Sequence, residues 1–459
     1  MAKIDLAVAT SFFAICLGLD PLRVGATPEQ RAKYIGKVAE EGLVVAYGVT
    51  EPEAGSNVQA LKTRAERVLD EDGKIKGYTL NGQKQFITNG GVADLYTLLA
   101  DTPEGPSFFI VEGGTKGLIP GKHEDKHGIR ASNTCALALE DLYVPAENMV
   151  GEVEGQGLKQ ANQVFGYTRL MVATFGLGAG MASLERAVKY SKERVQFGTT
   201  LSEKQGYTHK LLVPNAVKLE AARAHIEEVA RRLDAGEEDL QVEGSIAKYF
   251  ATEAGDAMAN DGIQAFGGYG YTREYEVEKI KRDVKILPLY EGTSEIQRNI
   301  ISVFRLRESV RSKGRFYGNM ADAAAKLPGD CGGSHLAKAL ETLGGLILAA
   351  RKQRVNRSQY VMFLLADMMT WCEVAYALCQ KAACYEGDGQ RSEAFMKGAA
   401  RLFVREALEK VYVNGLKVVF GSESILESWT EKMEALDLGK GMSGILKDMD
   451  LIAKELVAD

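Results

Sequence analysis

Between about residues 43 and 150 the chain drops helical spacing for short strand-like runs, and that change constrains its fold more than any other feature. Thr63 to Leu69, Gly77 to Leu80, Gln83 to Thr88, Leu95 to Ala100, Ser107 to Glu112 and Cys135 to Val144 are short and rich in β-formers. Asp72-Gly73, Asn81-Gly82 and Asn89-Gly90 read as the turns between them. Strands in succession predict a compact β-domain and not alternating βαβ units. Helical periodicity flanks it, in Asp5 to Leu19 before and in Leu170 to Arg194, Lys210 to Leu233, Val242 to Phe266 and Ser294 to Leu306 after. The expected class is therefore α+β, with a central β-domain between helical domains. The domains expected are 1–42 (helical), 43–155 (β), 156–310 (helical bundle) and 311–459 (a further helical block). Ser312 to Arg315 and Gly329 to Ser334 read as connecting segments.

The N-terminal stretch sets two smaller expectations. Thr27-Pro28-Glu29-Gln30 supplies an N-cap, a first-turn proline and a capping-box glutamine. Leu6 to Leu19 imitates a signal-peptide core, but Asp5 interrupts its charged end and bulky Ile15 precedes Cys16, so a buried helix is expected. No stretch reads as the roughly 18 apolar residues of a membrane span. With no signal or transit peptide visible, the expected location is the cytoplasm, or the mitochondrial matrix in a eukaryote. A net charge of −6 without a dense basic tract argues against nucleic acid as partner. Six scattered cysteines without a C-x-x-C pair, and five histidines without ligand spacing, support neither a disulfide framework nor a metal site.

Chemistry is concentrated in five stretches. In Leu289-Tyr290-Glu291-Gly292-Thr293-Ser294-Glu295-Ile296-Gln297-Arg298, Ser294 and Gln297 stand at capping-box spacing, so a helix begins just after Glu291. A carboxylate on a glycine bend there is held yet reachable, as a general base must be. It is equally placed to favour the helix dipole and do nothing more. Tyr47 to Asn57 (YGVTEPEAGSN) offers N–H groups and hydroxyls to a polar or anionic ligand. Phe86-Ile87-Thr88-Asn89-Gly90-Gly91 ends a strand with an aromatic and a hydroxyl, suited to the edge of a planar ring or simply to core. Arg194 to Gly198 (RVQFG) stops a long helix with an arginine that would serve a phosphate or the helix end. Gln264 to Gly270 ends another helix in glycines. Gly176-Leu177-Gly178-Ala179-Gly180-Met181 does not fit a dinucleotide loop, because Met181 stands where the last glycine belongs. Close helix packing is its better account.

These stretches occur together, in this order, in the acyl-CoA dehydrogenase family, which the sequence resembles up to about residue 305. The motifs that carry the likeness are YGVTEPEAGSN, QFITNGG, RVQFG, QAFGGYGY and YEGTSEIQR. The resemblance implies FAD and an oxidoreductase acting on the CH–CH bond of an acyl-CoA thioester in fatty-acid β-oxidation. In the family a carboxylate takes the α-proton, the β-hydrogen leaves as hydride to flavin N5, and electrons pass to electron-transfer flavoprotein. Carried over, Glu291 matches the base. In one subgroup the base stands just before the conserved arginine, where this chain has Thr168 before Arg169. Tyr47, Val49, Thr50, Ser56, Phe86, Ile87 and Thr88 match flavin contacts, and Thr293 and Glu295 match further FAD contacts. Arg194, Gln196, Phe197, Gln205, Gln264, Gly267 and Gly268 match positions at the adenosine and pyrophosphate end of FAD, largely across a dimer interface. Ser56, Ser132, Arg169, Tyr290 and Gly292 match substrate contacts. A homodimer or higher homo-oligomer is thus implied.

The sequence departs from the family at several points. Phe86 stands where tryptophan is usual, Asn57 where aspartate is usual, and Gly166 where some members carry an aspartate near the CoA. The family also has further N-terminal helices ahead of the first one here, so either a truncated start or a second chain is expected. The block after 315 is similar to the added helical domain of the very-long-chain type, which serves dimerisation or membrane association. Two other readings share the fold: a non-catalytic assembly protein and an acyl-CoA oxidase.

Overall fold

The structure, a computed structural model, describes residues 1–387, 389, 391–422 and 426–458, the side chains at 422 and 426–428 excepted. Residue 459, last of the expected C-terminal block, lies outside the described residues, as do 388, 390 and 423–425. The chain divides into two compact units, Met1–Thr168 and Arg169–Asp459.

In the first unit α1 (Leu6–Gly25) opens on Asp5, whose carboxylate accepts from the N–H groups of Ala7 and Val8. It buries Leu6, Ala9, Phe13 and Leu22. The reciprocal box forms at α2 (Pro28–Glu41): Gln30 N–H donates to Thr27 Oγ1 at 3.2 Å, and Thr27 N–H to Gln30 Oε1 at 3.1 Å. Gly42 stops this helix in the left-handed region at φ 68°. Seven strands follow: β1 (Val45–Gly48), β2 (Arg64–Leu69), β3 (Ile75–Thr88), β4 (Leu95–Thr102), β5 (Gly105–Glu112), β6 (Leu118–Pro120) and β7 (Thr134–Pro145). They form one mixed sheet in the order β1-β4-β2-β3-β7-β6, with β5 beside β4. Leu80, Leu98, Phe109 and Leu137 are fully buried in its core.

One expected turn is instead a bulge. β3 runs unbroken through Asn81 and Gly82, with its register against β7 slipping between Leu80 and Gly82. The reason is tertiary: a Cβ at Gly82 would lie 2.7 Å from Thr63 Cα, and Asn81 exchanges hydrogen bonds with Asp141 on β7.

The second unit is helical. The helix α3 (Gly157–Glu193) runs through the division and is followed by a hairpin of β8 (Val195–Gln196) and β9 (Thr199–Thr200). After them come α4 (Gln205–Tyr207), α5 (Val213–Asp234), α6 (Gln241–Phe266), α7 (Val277–Val284) and α8 (Ser294–Arg311). The remainder is α9 (Arg315–Ala324), α10 (Gly333–Lys352), α11 (Gln359–Ala383), α12 (Glu393–Ser422), α13 (Leu426–Glu434), α14 (Leu438–Gly441) and α15 (Ile445–Leu456). A single core holds Val217 and Phe250 together with Leu340, Leu365 and Phe403, so the last helices share the interior of α5 and α6. Arg305 of α8 makes the same tie in polar form: it grips Glu373 of α11 at 2.7 and 2.9 Å and Glu243 of α6 at 3.0 Å.

The glycines of α3 act as close-packing residues. A Cβ at Gly176 would lie 2.5 Å from the Ala251 carbonyl of α6, and one at Gly255 would lie 2.3 Å from the Gly176 carbonyl. Among the described residues two helices, Leu6–Gly25 and Gln359–Ala383, turn out long and apolar enough to cross a membrane by length and composition. In Gln359–Ala383 most of that apolar surface is buried inside the second unit, as in a core helix.

Candidate active site

Glu291 sits in the bend between α7 and α8, at φ 54°, and Gly292 follows at φ 85°. A non-glycine residue in the left-handed region is strained and persists only where its surroundings over-determine it. Gly292 suits this φ, and a Cβ added there would lie 2.6 Å from Gln297 Nε2 and displace that amide. The cap of α8 differs from the expected box. Thr293 is the N-cap, its Oγ1 accepting from Ile296 N–H at 3.3 Å, while buried Gln297 turns back to donate Nε2 to the carbonyls of Glu291 (3.1 Å) and Gly292 (3.0 Å). Ser294 donates to Glu253 Oε1 on α6 at 2.5 Å.

Two buried cations lie within electrostatic reach of the Glu291 carboxylate. Arg169 of α3 donates Nη1 to Ser245 Oγ at 3.1 Å, while its Nε has no hydrogen-bond partner among the described residues. Burial pulls its guanidinium down to about 10, with the Glu291 charge opposing. Lys248 of α6 is fully buried and donates Nζ to the Gly292 carbonyl at 2.7 Å. Burial pulls it to about 8, again against the Glu291 charge. Sequence reasoning missed Lys248. Its signal is a lone ammonium inside the apolar run Ile246-Ala247-Lys248-Tyr249-Phe250. Tyr290 and Glu291 are half-buried, Thr168 is buried, and Glu295 is exposed.

In the first unit the structure brings together the segments matched to the flavin. Gln85 N–H donates to the Thr50 carbonyl at 2.9 Å, joining the 47–56 segment to the end of β3. Lys84 Nζ lies 2.7 Å from Glu51 Oε1, with both side chains buried, and Glu51 also accepts from the N–H groups of Lys62 and Thr63. These two residues, also missed, fix the loop. Val49 and Ile87 turn their side chains into the core. Tyr47 stacks on Phe108 with ring centroids 5.7 Å apart; Thr50 and Thr88 are half-buried and Ser56 exposed. A register slip between Lys84 and Ile87 puts Phe86 at φ 58°, with its ring 65% exposed. Ser132 is fully buried, and its Oγ has no hydrogen-bond partner among the described residues.

The remaining residues lie elsewhere on the second unit. Phe197, at φ 54° and 97% exposed, is the tip of the β8–β9 hairpin, beside exposed Gln196. The Arg194 guanidinium lies 5.6 Å from the ring centroid of Tyr269 in the glycine turn after Gln264. Gln205 donates to Asp450 of α15 at 3.0 Å. Gln264, Gly267 and Gly268 are exposed, Gln264 about 24 Å along α6 from Lys248 and the two glycines just past the helix end. The donor set suits FAD. Phe86 in the first unit and Phe197 in the second are each held out to solvent in left-handed backbone, and the hydroxyls, amides and arginine matched within each unit have the chemistry that a planar ring and a pyrophosphate would take.

Comparison with known proteins identifies the family. Residues 46–142 match the acyl-CoA dehydrogenase middle domain and residues 155–304 the acyl-CoA dehydrogenase C-terminal domain. A short-chain-specific acyl-CoA dehydrogenase of Megasphaera elsdenii is 41% identical over 303 residues, covering 65% of this chain and 77% of the relative. An acyl-CoA dehydrogenase from Bacillus anthracis, solved with FAD, superposes with a TM-score of 0.85 at 25% identity, covering 98% of this chain and 82% of that one. Its match therefore extends over the helices after residue 304 as well. A chain solved in work on the electron transferring flavoprotein of Acidaminococcus fermentans matches with a TM-score of 0.63 at 38% identity, covering 67% of this chain and 80% of that one. With both domains and a relative at this identity and coverage, the chain is a member of the acyl-CoA dehydrogenase family, oxidoreductases that act on acyl-CoA with FAD.

Proposed function

We propose that this chain desaturates an acyl-CoA thioester between its α and β carbons, with Glu291 as the base that takes the α-proton. The observation that carries this reading is the placement of Glu291 in a left-handed bend, beside the buried cations Arg169 and Lys248. A thioester α-proton is weakly acidic, so its removal needs a fixed carboxylate and donors for the oxygen that gathers charge. Neighbouring cations favour the ionised carboxylate that accepts the proton. The Glu291 N–H is the donor this family would offer that oxygen. Ser132, in the first unit, matches a substrate contact, and its buried hydroxyl has no hydrogen-bond partner among the described residues. Bound FAD supplies the acceptor for the β-hydrogen. In the first unit Thr88 and the Tyr47–Ser56 segment match its flavin end; in the second Thr293 matches a further contact, and Arg194 with the Gln264–Gly268 turn its adenosine end in a homodimer.

A short acyl chain is the substrate favoured, because the M. elsdenii relative is short-chain specific. Electron-transfer flavoprotein is the proposed electron acceptor, a reading supported by the A. fermentans match. Glu291→Gln keeps the size of the side chain and removes its basicity. It should bind FAD and butyryl-CoA as the parent does and slow anaerobic flavin bleaching by about 10²- to 10⁴-fold. Bleaching within a few-fold of the parent ends the assignment.

A further inference from the structure

We propose that Lys248 is a positioning residue for Glu291, locking the bend that aims the carboxylate; this rests on Glu291 being the base. The Gly292 carbonyl accepts from two side chains on two helices, Lys248 Nζ of α6 at 2.7 Å and Gln297 Nε2 of α8 at 3.0 Å. Gln297 Nε2 also holds the Glu291 carbonyl, at 3.1 Å. Two successive carbonyls fixed in this way set the peptide planes on either side of Gly292. They leave Glu291 and Gly292 little freedom to relax from their left-handed conformations at φ 54° and 85°. Strained backbone survives only under such over-determination. Both clamp side chains are fully buried, so water does not readily take their place.

Lys248 also brings a charge. Glu291, Glu253, Glu295 and Arg169 act on it through their charge, and Glu291 is the first of the carboxylates that oppose its desolvation. Gln297 gives the same carbonyl a neutral donor. The two halves of the clamp are therefore separable: one holds and charges, the other only holds.

The test uses the full-length FAD-bound protein with butyryl-CoA. Lys248→Met keeps most of the stem and removes the donor and the charge. Bleaching per bound flavin should fall roughly 10- to 100-fold, as when an outer partner of a reacting group is lost, with the half-saturating butyryl-CoA concentration nearly unchanged. The acid limb of the rate profile should move to higher pH, because removing a cation disfavours the ionised carboxylate. Gln297→Met should slow bleaching and leave the acid limb in place. In both variants, amide hydrogen exchange in peptides spanning residues 290–294 should quicken, a readout that needs no turnover. Lys248→Arg, which keeps the charge, should restore the acid limb.

If Lys248→Met bleaches at the parent rate per flavin with an unshifted acid limb, the proposal is overturned, even if the variant is less stable. Should Lys248→Met fail to fold, Gln297→Met decides: an unchanged rate and unchanged exchange overturn it equally. Glu291→Gln run in parallel separates the two readings. A dead Glu291→Gln beside a normal Lys248→Met removes only the clamp, while an active Glu291→Gln removes the base and the clamp together.

Discussion

Lys84 and Glu51 form a buried ion pair, Nζ to Oε1 at 2.7 Å, that fastens the loop after β1 to the end of β3. Desolvation pulls Lys84 down to about 8, opposed by Glu51. Desolvation pushes Glu51 up, but Lys84, Thr63 and Lys62 outweigh it and hold its carboxyl below the ordinary value. Removing one partner leaves the other charge buried alone. Lys84→Met should destabilise by about 3–5 kcal/mol in urea unfolding, and Lys84→Met with Glu51→Met should recover much of that loss. FAD retention should follow the same order, since Glu51 adjoins Thr50 and Lys84 lies two residues before Phe86 in the chain.

Glu154 gives a pH dependence with a definite sign. Arg67 holds its carboxylate with two bonds of 2.8 Å, and Tyr78 donates to it at 2.8 Å. The Arg67 bonds outweigh desolvation and, with Tyr78, hold Glu154 at about 2, against an ordinary 4.5. A carboxyl whose folded value is depressed adds stability fully above 4.5, and that stability is lost as pH falls through 2. Urea midpoints of the parent should therefore drop between these values, and Glu154→Gln should flatten that drop.

Glu291→Gly separates strain from chemistry. Glycine adopts φ 54° without penalty, so this variant should be about 1 kcal/mol more stable than Glu291→Ala, which lacks the carboxylate equally, while flavin bleaching is abolished in both. Equal stability of Glu291→Gly and Glu291→Ala would mean that the bend is not strained.

Arg194→Ala tests the hairpin. A charged hydrogen bond is worth about 1.5–3 kcal/mol, so loss of the guanidinium should weaken FAD retention roughly tenfold or more. Ultrafiltration of flavin measures this directly, and the circular dichroism of the β-sheet should not change.

Local features were the most legible in the sequence. The capping box at Thr27 and Gln30 needs only four residues in order, and it forms. Asn81-Gly82 has equally strong turn chemistry, yet contacts from Thr63 and Asp141, distant in sequence, make it a bulge. Gln297 has capping-box spacing, but the carbonyls of Glu291 and Gly292 take its amide first. The two buried lysines, Lys84 and Lys248, stayed hidden because the value of a buried charge depends on its partner, and the partner is set by the fold. Family motifs named Glu291; they did not name what holds it.

The glycine contact between α3 and α6 has a consequence for reading natural variation. Arg169 lies seven residues before Gly176, and Lys248 seven before Gly255, so each cation is two helical turns from the point where the helices touch. A methyl group added at Gly176 has no room, and the helices must part to admit it. The displacement would travel along both helices to the groups around the carboxylate. A carrier of Gly176→Ala would present as having a sluggish enzyme of near-normal substrate affinity, although the altered residue touches no ligand. Any scheme that ranks variants by distance from the reacting atoms would pass over it.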